Sequence, residues 1–431
     1  MDAQRFFVGA PGMCWLLGTS TGRSETRAVA LCWSQLLVLS GVASLGVYCD
    51  ISEGVIYPRS KDLFWSASMG RVSLFMSASF RSSTGSPVFN TYTKAQSGNR
   101  DGNADVVEFC PHYPFQHILA AGTYTLQEGT QPQRAGSISL FSTDPVVGLE
   151  LLCRVSTVGV FDIKWGPSGE SMHPLLAQAD ADGCIGLYNL SKTETENEEV
   201  CSEKVSSSMC LCVDWKPSAC SVCLGISDGS VCMVTVREAQ LQISQSWLGH
   251  DYEVWATSFD VHRPNLLYTG SDDCCFNCWD LRASPSEIVF RNAKSHQMGV
   301  CCITQNPTNT NMLLTGSYDE FLRVWDVRST SKPVHEKSLC LGGGVWRIKY
   351  HPSISSFILA ACMHNGFAVV STEEEDVRVV ETYCKHESLA YGADWQKGEI
   401  STQGMLRKGL LVATCSFYDR LLRIWQPEFL S

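Results

Sequence analysis

Along most of this chain the apolar residues fall into short runs broken by turn-forming residues. The clearest example runs from His296 to Arg328. GVCCIT and NMLLTG are rich in residues that suit a pleated sheet. Asn306-Pro307 and Asn309 punctuate the gap between them, and Ser317-Tyr318-Asp319-Glu320 makes a second, tighter turn. FLRVWDV is a third predicted strand, and it ends on Trp325-Asp326. Asp319 and Trp325 thus set a frame of two positions six residues apart. The frame recurs at Ala135/Phe141, Asp182/Tyr188, Asp228/Val234, Asp273/Trp279, His364/Val370 and Asp419/Trp425. Successive opening positions are 45–47 residues apart, except for a last interval of 55. An insertion around Lys397 to Lys408 accounts for that interval and predicts a surface loop. The first strands recur too, as IKWGP, VDWKP, ITQNP and IKYHP.

A period of roughly 40 to 45 residues closing on Trp-Asp marks the blades of a propeller. The prediction is an all-β, seven-bladed WD-repeat β-propeller over residues 86–431. The last unit supplies only three strands. PVFNTYT, from Pro87 to Thr93, is predicted to pair at the outer edge of the last blade and close the ring, which protects an otherwise open edge. Residues 1–85 lack the repeat and are rich in Ser, Gly and Arg, so low order is expected there. Their charge-free run, residues 28–49, could span a bilayer by length. Its Gln, Ser and Gly residues dilute it, and it lacks a clean leader pattern, so no membrane span is expected. Gly18-Thr19-Ser20-Thr21-Gly22 fits G-x-S-x-G without the strand-to-helix context that would make it a nucleophile elbow.

The net charge of −11 argues against direct nucleic-acid binding and suits a basic protein or a cationic group. The 21 cysteines are scattered, mostly in apolar strands. Cys220 and Cys223 form a lone C-x-x-C with no second pair at zinc spacing. Neither a metal site nor a disulfide framework is predicted, and a reducing, cytoplasmic setting is expected.

The units from about Gly249 to Arg328 closely resemble the WD-repeat family. That resemblance implies buried hydrogen-bonded sets of His250, Thr269, Asp273 and Trp279, and of His296, Thr315, Asp319 and Trp325. These residues are expected to be structural, since buried polar groups need partners. The sixth unit departs: the same slots read Leu341, Ala360, His364 and Val370. The seventh reads Cys415 in the Thr slot. His364 is thereby freed from the structural set. It is the candidate general base, with Cys362 a weaker alternative and the Gly342-Gly343-Gly344 run a possible source of backbone donors. One equivalent first-strand position reads Phe161, Leu211, Trp255, Cys301, Trp346 and Tyr391 in successive blades, flanked by Glu253 and Arg347, with turn residues Tyr318 and Tyr418 nearby. These aromatics either pack blade on blade or form a mouth that holds a cation over ring faces.

HQMGVCCI, TGSYDEFLRVWD, GGGVWRIKYHP, LAACMHNGF, SLAYGADW and ATCSFYDRLLRIW are more specific. Together they resemble the WD-repeat diphthine methyl ester hydrolases of diphthamide synthesis, over about residues 87–431. The resemblance implies a carboxylic ester hydrolase acting on translation elongation factor 2 that carries methylated diphthine, with no cofactor, as a monomer. Under it, Trp255, Trp346 and Tyr391, helped by Glu253 and neighboured by Tyr318 and Tyr418, would contact the trimethylammonium group of the substrate. The alternative is a non-catalytic scaffold that recruits the elongation factor or a modifying enzyme.

Overall fold

The computed structural model describes residues 102–430 apart from short loop stretches, together with short strand segments between Trp15 and Lys94. The chain divides into two units, Met1–Ser86 and Pro87–Ser431. The described residues of the first are short antiparallel strands, including a meander from Cys49–Ser52 to Arg71–Leu74. The expectations for residues 1–85, including the apolar run 28–49 and the Gly18–Gly22 motif, concern residues that lie largely outside the described ones. Among the described residues no helix is long and apolar enough to cross a membrane.

The second unit is a seven-bladed β-propeller, each blade a four-stranded antiparallel sheet. Its innermost strands are Asn103–Phe109, Val160–Trp165, Cys210–Trp215, Val254–Phe259, Val300–Gln305, Arg347–Tyr350 and Ala390–Trp395 in blades 1 to 7. In blade 7 the second and third strands are Val412–Ser416 and Leu421–Trp425. Its fourth strand is Thr91–Lys94, which pairs with Leu421–Ile424. Residues 87–90 lie outside the described ones. The insertion before Val412 forms a two-stranded hairpin, Glu399–Thr402 with Met405–Lys408.

Burial grades outward along each blade. Cys210–Trp215 and Ala390–Trp395 are buried at every position, which explains their near-continuous apolar sequence. The outermost strands Val334–Cys340 and Val377–Tyr383 are largely exposed and carry charges. Apolar cores sit between blades. One joins Ala177, Ile185 and Leu187 of blade 2 to Val213, Val222 and Leu224 of blade 3. Each fully buried large aliphatic side chain in such a core contributes about 1.5–3 kcal/mol. Close approach of the blades needs a small second-strand residue: a Cβ on Gly316 would lie 2.6 Å from Val345 Cγ1 of the next blade.

The hydrogen-bonded sets hold individual blades together. In blade 4, His250 Nδ1 meets Asp273 at 3.0 Å, His250 Nε2 meets Thr269 Oγ1 at 2.7 Å, and the Trp279 indole donates to Thr269 at 2.8 Å. Blade 5 differs from the expected arrangement. Arg323 stands between its histidine and acid, donating to His296 Nδ1 at 3.0 Å and to both Asp319 oxygens at 2.8–2.9 Å. Because Nδ1 accepts, Nε2 carries the proton and donates to Thr315. Blade 7 also corrects the sequence reading. The Thr slot holds Thr414 rather than Cys415: the Trp425 indole donates to Thr414 at 3.2 Å, and His386 contacts Thr414 and Ser416. The turn before Leu421 is one residue longer than in blade 5, so counting back from Asp419 by the blade 5 spacing stops one residue short, at Cys415.

Candidate active site

The innermost strands carry a repeated irregularity. In six blades the first strand bulges, leaving one residue out of register with the second strand. The bulged residues are Asp105, Phe161, Leu211, Trp255, Cys301 and Tyr391. In blade 6 the equivalent is Trp346, whose N–H donates to Ala361 O at 2.9 Å just before regular pairing starts. A bulge re-aims the side chain that it carries. The seven residues therefore form one ring at one end of the central channel.

Ring contacts show that they converge. Trp255 of blade 4 lies 5.5 Å from Trp346 of blade 6, centroid to centroid, reaching past blade 5. Trp346 stacks on Tyr391 at 4.9 Å and meets Tyr318 at 5.7 Å. Tyr391 continues to Phe417, Tyr124 and Phe161 at 5.3, 4.9 and 4.8 Å. Trp255, Trp346 and Phe161 are half-buried, Tyr391 and Tyr318 are buried, and Tyr418 is exposed against the edge of Phe417. Trp255, Trp346 and Tyr391 thus share one mouth, but not as an open cage. A cation between two ring faces must lie within about 6 Å of each centroid with room for its own bulk. The stacked Trp346 and Tyr391 leave no such gap. The surfaces available to a cation are the outer parts of Trp255 and Trp346.

Charge lies close to this aromatic cap. Asp272 faces the Trp255 indole, and burial raises its pKa to about 6, with Glu253 adding and Trp255 opposing. Just past the ring, Arg347 of blade 6 pairs with Asp162 of blade 2 at 3.0 Å. Further along the channel Lys349 meets Glu108 at 3.0 Å and Lys164 meets Asp214 at 3.1 Å. Several of these acids also join blades through the backbone. Asp162 accepts the Val213 N–H, Asp214 the Phe259 N–H and Asp394 the Phe109 N–H, at 2.8–3.0 Å.

Asp105 is different, and sequence reasoning missed it. It is 3% exposed, and among the described residues its carboxyl makes no hydrogen bond. Burial raises its pKa to about 8, with Arg347 opposing and Asp162 adding. The signal was available: counting four back from the Phe109 of EFCP lands on it, as counting four back from Tyr350 of IKYHP lands on Trp346.

The residues first singled out for chemistry fare unequally. His364 lies exposed in the turn between the second and third strands of blade 6, with no hydrogen bond to orient it among the described residues. Cys362 is buried, its thiol directed to Ala360 O at 3.7 Å, and burial pushes its pKa well up, which suits packing rather than attack. Gly342 is exposed, and the run around it is tied down by Asn365, which donates to Leu341 O at 2.6 Å. Among the described residues no three His, Cys, Asp or Glu side chains gather as a metal site.

The WD domain, G-beta repeat family matches residues 241–280 and 289–326. A chain from a crystal structure of the mitotic checkpoint complex superposes with a TM-score of 0.59 at 16% identity, covering 83% of this chain and 98% of that one, a likeness of fold alone. The diphthine methyltransferase of Mus musculus is 34% identical over 68% of this chain and 67% of its own length. The diphthine methyltransferase homolog of Dictyostelium discoideum is 30% identical over 76% and 97%, and the Schizosaccharomyces pombe diphthine methyltransferase 31% identical over 76% and 95%. With its WD repeats, its propeller and this similarity over most of its length, the chain belongs to the WD-repeat family of diphthine methyltransferases.

Proposed function

We propose that this chain hydrolyses the methyl ester of methylated diphthine on translation elongation factor 2, as a late step of diphthamide biosynthesis. The observation that carries the reading is the mouth itself, where half-exposed Trp255 and Trp346 lie beside Asp105, Asp272 and Arg347. The relatives' printed names put diphthine and a methyl group in the reaction. In hydrolysis water takes the acyl group, and the methyl group leaves with its oxygen as methanol.

Two physical points favour water. Among the described residues there is no α-helix, hence none of the strand–loop–helix crossovers that commonly cradle a nucleotide cofactor. Ester hydrolysis needs only a proton acceptor for water and a donor for the oxyanion, which a buried acid and a guanidinium supply. The trimethylammonium group of the substrate would lie on the outer parts of Trp255 and Trp346, near Glu253 and Asp272. On this reading the protein acts as a cytoplasmic monomer with the elongation factor as its partner.

The test incubates the purified protein with elongation factor 2 carrying methylated diphthine and measures methanol. Release should exceed a buffer blank and scale with protein concentration. Binding of the factor without any methanol would reject hydrolysis and leave the scaffold reading.

A further inference from the structure

We propose that Asp105 is the acid–base residue of this mouth: its carboxylate takes a proton from the water that attacks the ester carbonyl, and its carboxylic acid returns one to the departing methoxide. The proposal rests on the ester-hydrolysis reading and names the group that would perform it.

Three observations lead to Asp105. The first is its place. Of the seven ring positions, the other six hold Phe161, Leu211, Trp255, Cys301, Trp346 and Tyr391. The bulge therefore presents the one carboxyl of the ring to the same space as the aromatics. The second is what it does not do. Asp162, Asp214 and Asp394 on the same set of strands each accept a neighbouring blade's N–H and pair with an Arg or Lys. Asp105 makes no hydrogen bond among the described residues although it is 97% buried by area, being 3% exposed. A buried carboxyl without partners costs stability, so the ring gains nothing structural from it. The third is its company. Arg347 is held by Asp162 at 3.0 Å, and its Nε–H is buried without a partner among the described residues. Such an N–H can receive the oxygen on which charge develops.

The groups that face Asp105 are Arg347, Asp162, the hydroxyls of Tyr124, Tyr318 and Tyr391, and the Cys415 thiol. Burial keeps the tyrosines and the thiol neutral, so Arg347 and Asp162 are the charges that bear on it. Burial outweighs Arg347 and brings the carboxyl to about 8, so both of its protonation states are populated near neutral pH. The chemical step then closes. Water oxygen bonds to the carbonyl carbon as its proton passes to Asp105, leaving a tetrahedral oxyanion beside Arg347. The carbon–methoxide bond breaks, Asp105 gives the proton to methoxide, and methanol and a carboxylic acid leave. The acid then loses its own proton to solvent.

The experiment measures methanol release and affinity for the methylated elongation factor with full-length wild-type protein and with Asp105→Asn. The variant should lose about 10²–10⁴-fold in turnover while its affinity stays within about threefold. In the wild type, kcat/KM should rise with pH through about 8, and that rise should vanish in whatever activity the variant retains. A wild-type protein that releases no methanol defeats the hydrolysis reading and this proposal with it. An active wild type whose folded Asn variant keeps turnover within about fivefold defeats this proposal alone. So does a wild-type profile that is flat between about pH 6 and pH 9, which needs no variant to fold.

Discussion

Removing Asp105 should stabilise the protein, and more so at higher pH. Unfolded, this carboxyl titrates near 3.8; folded, burial raises it to about 8. Between those values the unfolded chain has released the proton and the folded ring still holds it. Folding therefore takes up a proton, and stability falls as pH rises across the window. Each pH unit costs at most about 1.4 kcal/mol, so from about pH 5 to about pH 8 the upper bound is about 4 kcal/mol. Structural relaxation and channel water would reduce that to about 2 kcal/mol. Asn at this position stays neutral and forfeits nothing over the same range. The assay is the melting temperature of wild type and Asp105→Asn by scanning fluorimetry at both pH values. The variant should exceed the wild type slightly at the lower pH and by a few degrees more at the higher. An Asn variant that melts lower than wild type by the same margin at both pH values would refute the reasoning, because it would make Asp105 an ordinary structural carboxylate.

Other perturbations test other parts of the molecule. Arg323→Ala strips both His296 and the nearly buried Asp319 of their partner and should cost about 3–5 kcal/mol by denaturant unfolding, whereas Arg328→Ala, at an exposed pair with Asp326, should leave the transition unmoved. Trp346→Ala should weaken binding of the trimethylated elongation factor about 5–30-fold more than binding of the unmodified factor, and equal losses in a titration would exclude ring–cation contact. His296 and His386 are held neutral, chiefly by burial, at about 3 against an ordinary 6.5. Their contribution is therefore complete above about pH 6.5 and drains as pH falls toward about 3; acid titration of His386→Gln should show a shallower loss than wild type.

What the sequence shows depends on whether a feature is local. The blades are legible because a strand, a turn and a second strand are each written in adjacent residues. The set around His250 is legible because Thr269, Asp273 and Trp279 have few other ways to satisfy their polar atoms inside a sheet. Arg323 is not legible in the same way. It occupies a third-strand position that faces His296 only once the blade has folded, and nothing in FLRVWD marks it as the link between histidine and acid. Thr414 is lost by counting alone, since a turn one residue longer moves every slot behind it. The convergence of Trp255, Trp346 and Tyr391 follows from the repeat, but the stacking of Trp346 on Tyr391 does not. It is settled by side-chain packing across two blades. Asp105 escaped because a search for aromatics passes over the one blade where the ring position is an acid.

The ion pairs across the channel bear on how the ring comes into being. Arg347 meets Asp162 across 185 residues of chain and Lys349 meets Glu108 across 241. Both cations sit on blade 6, while their acids sit on blades 2 and 1. Repeat arrays held by neighbour contacts alone can grow and fray one unit at a time. This ring cannot. While the chain is being made, Glu108 and Asp162 are present long before either cation exists, and they stay hydrated only as long as the partial ring stays open. Dehydrating them without their partners is strongly unfavourable. An incomplete set of blades is thus kept from collapsing on itself, and closure waits for blade 6, which brings both cations, and for blade 7, which fills the place between it and blade 1. A fragment that ends before Trp346 should remain an open, hydrated arc, however well its individual blades are formed.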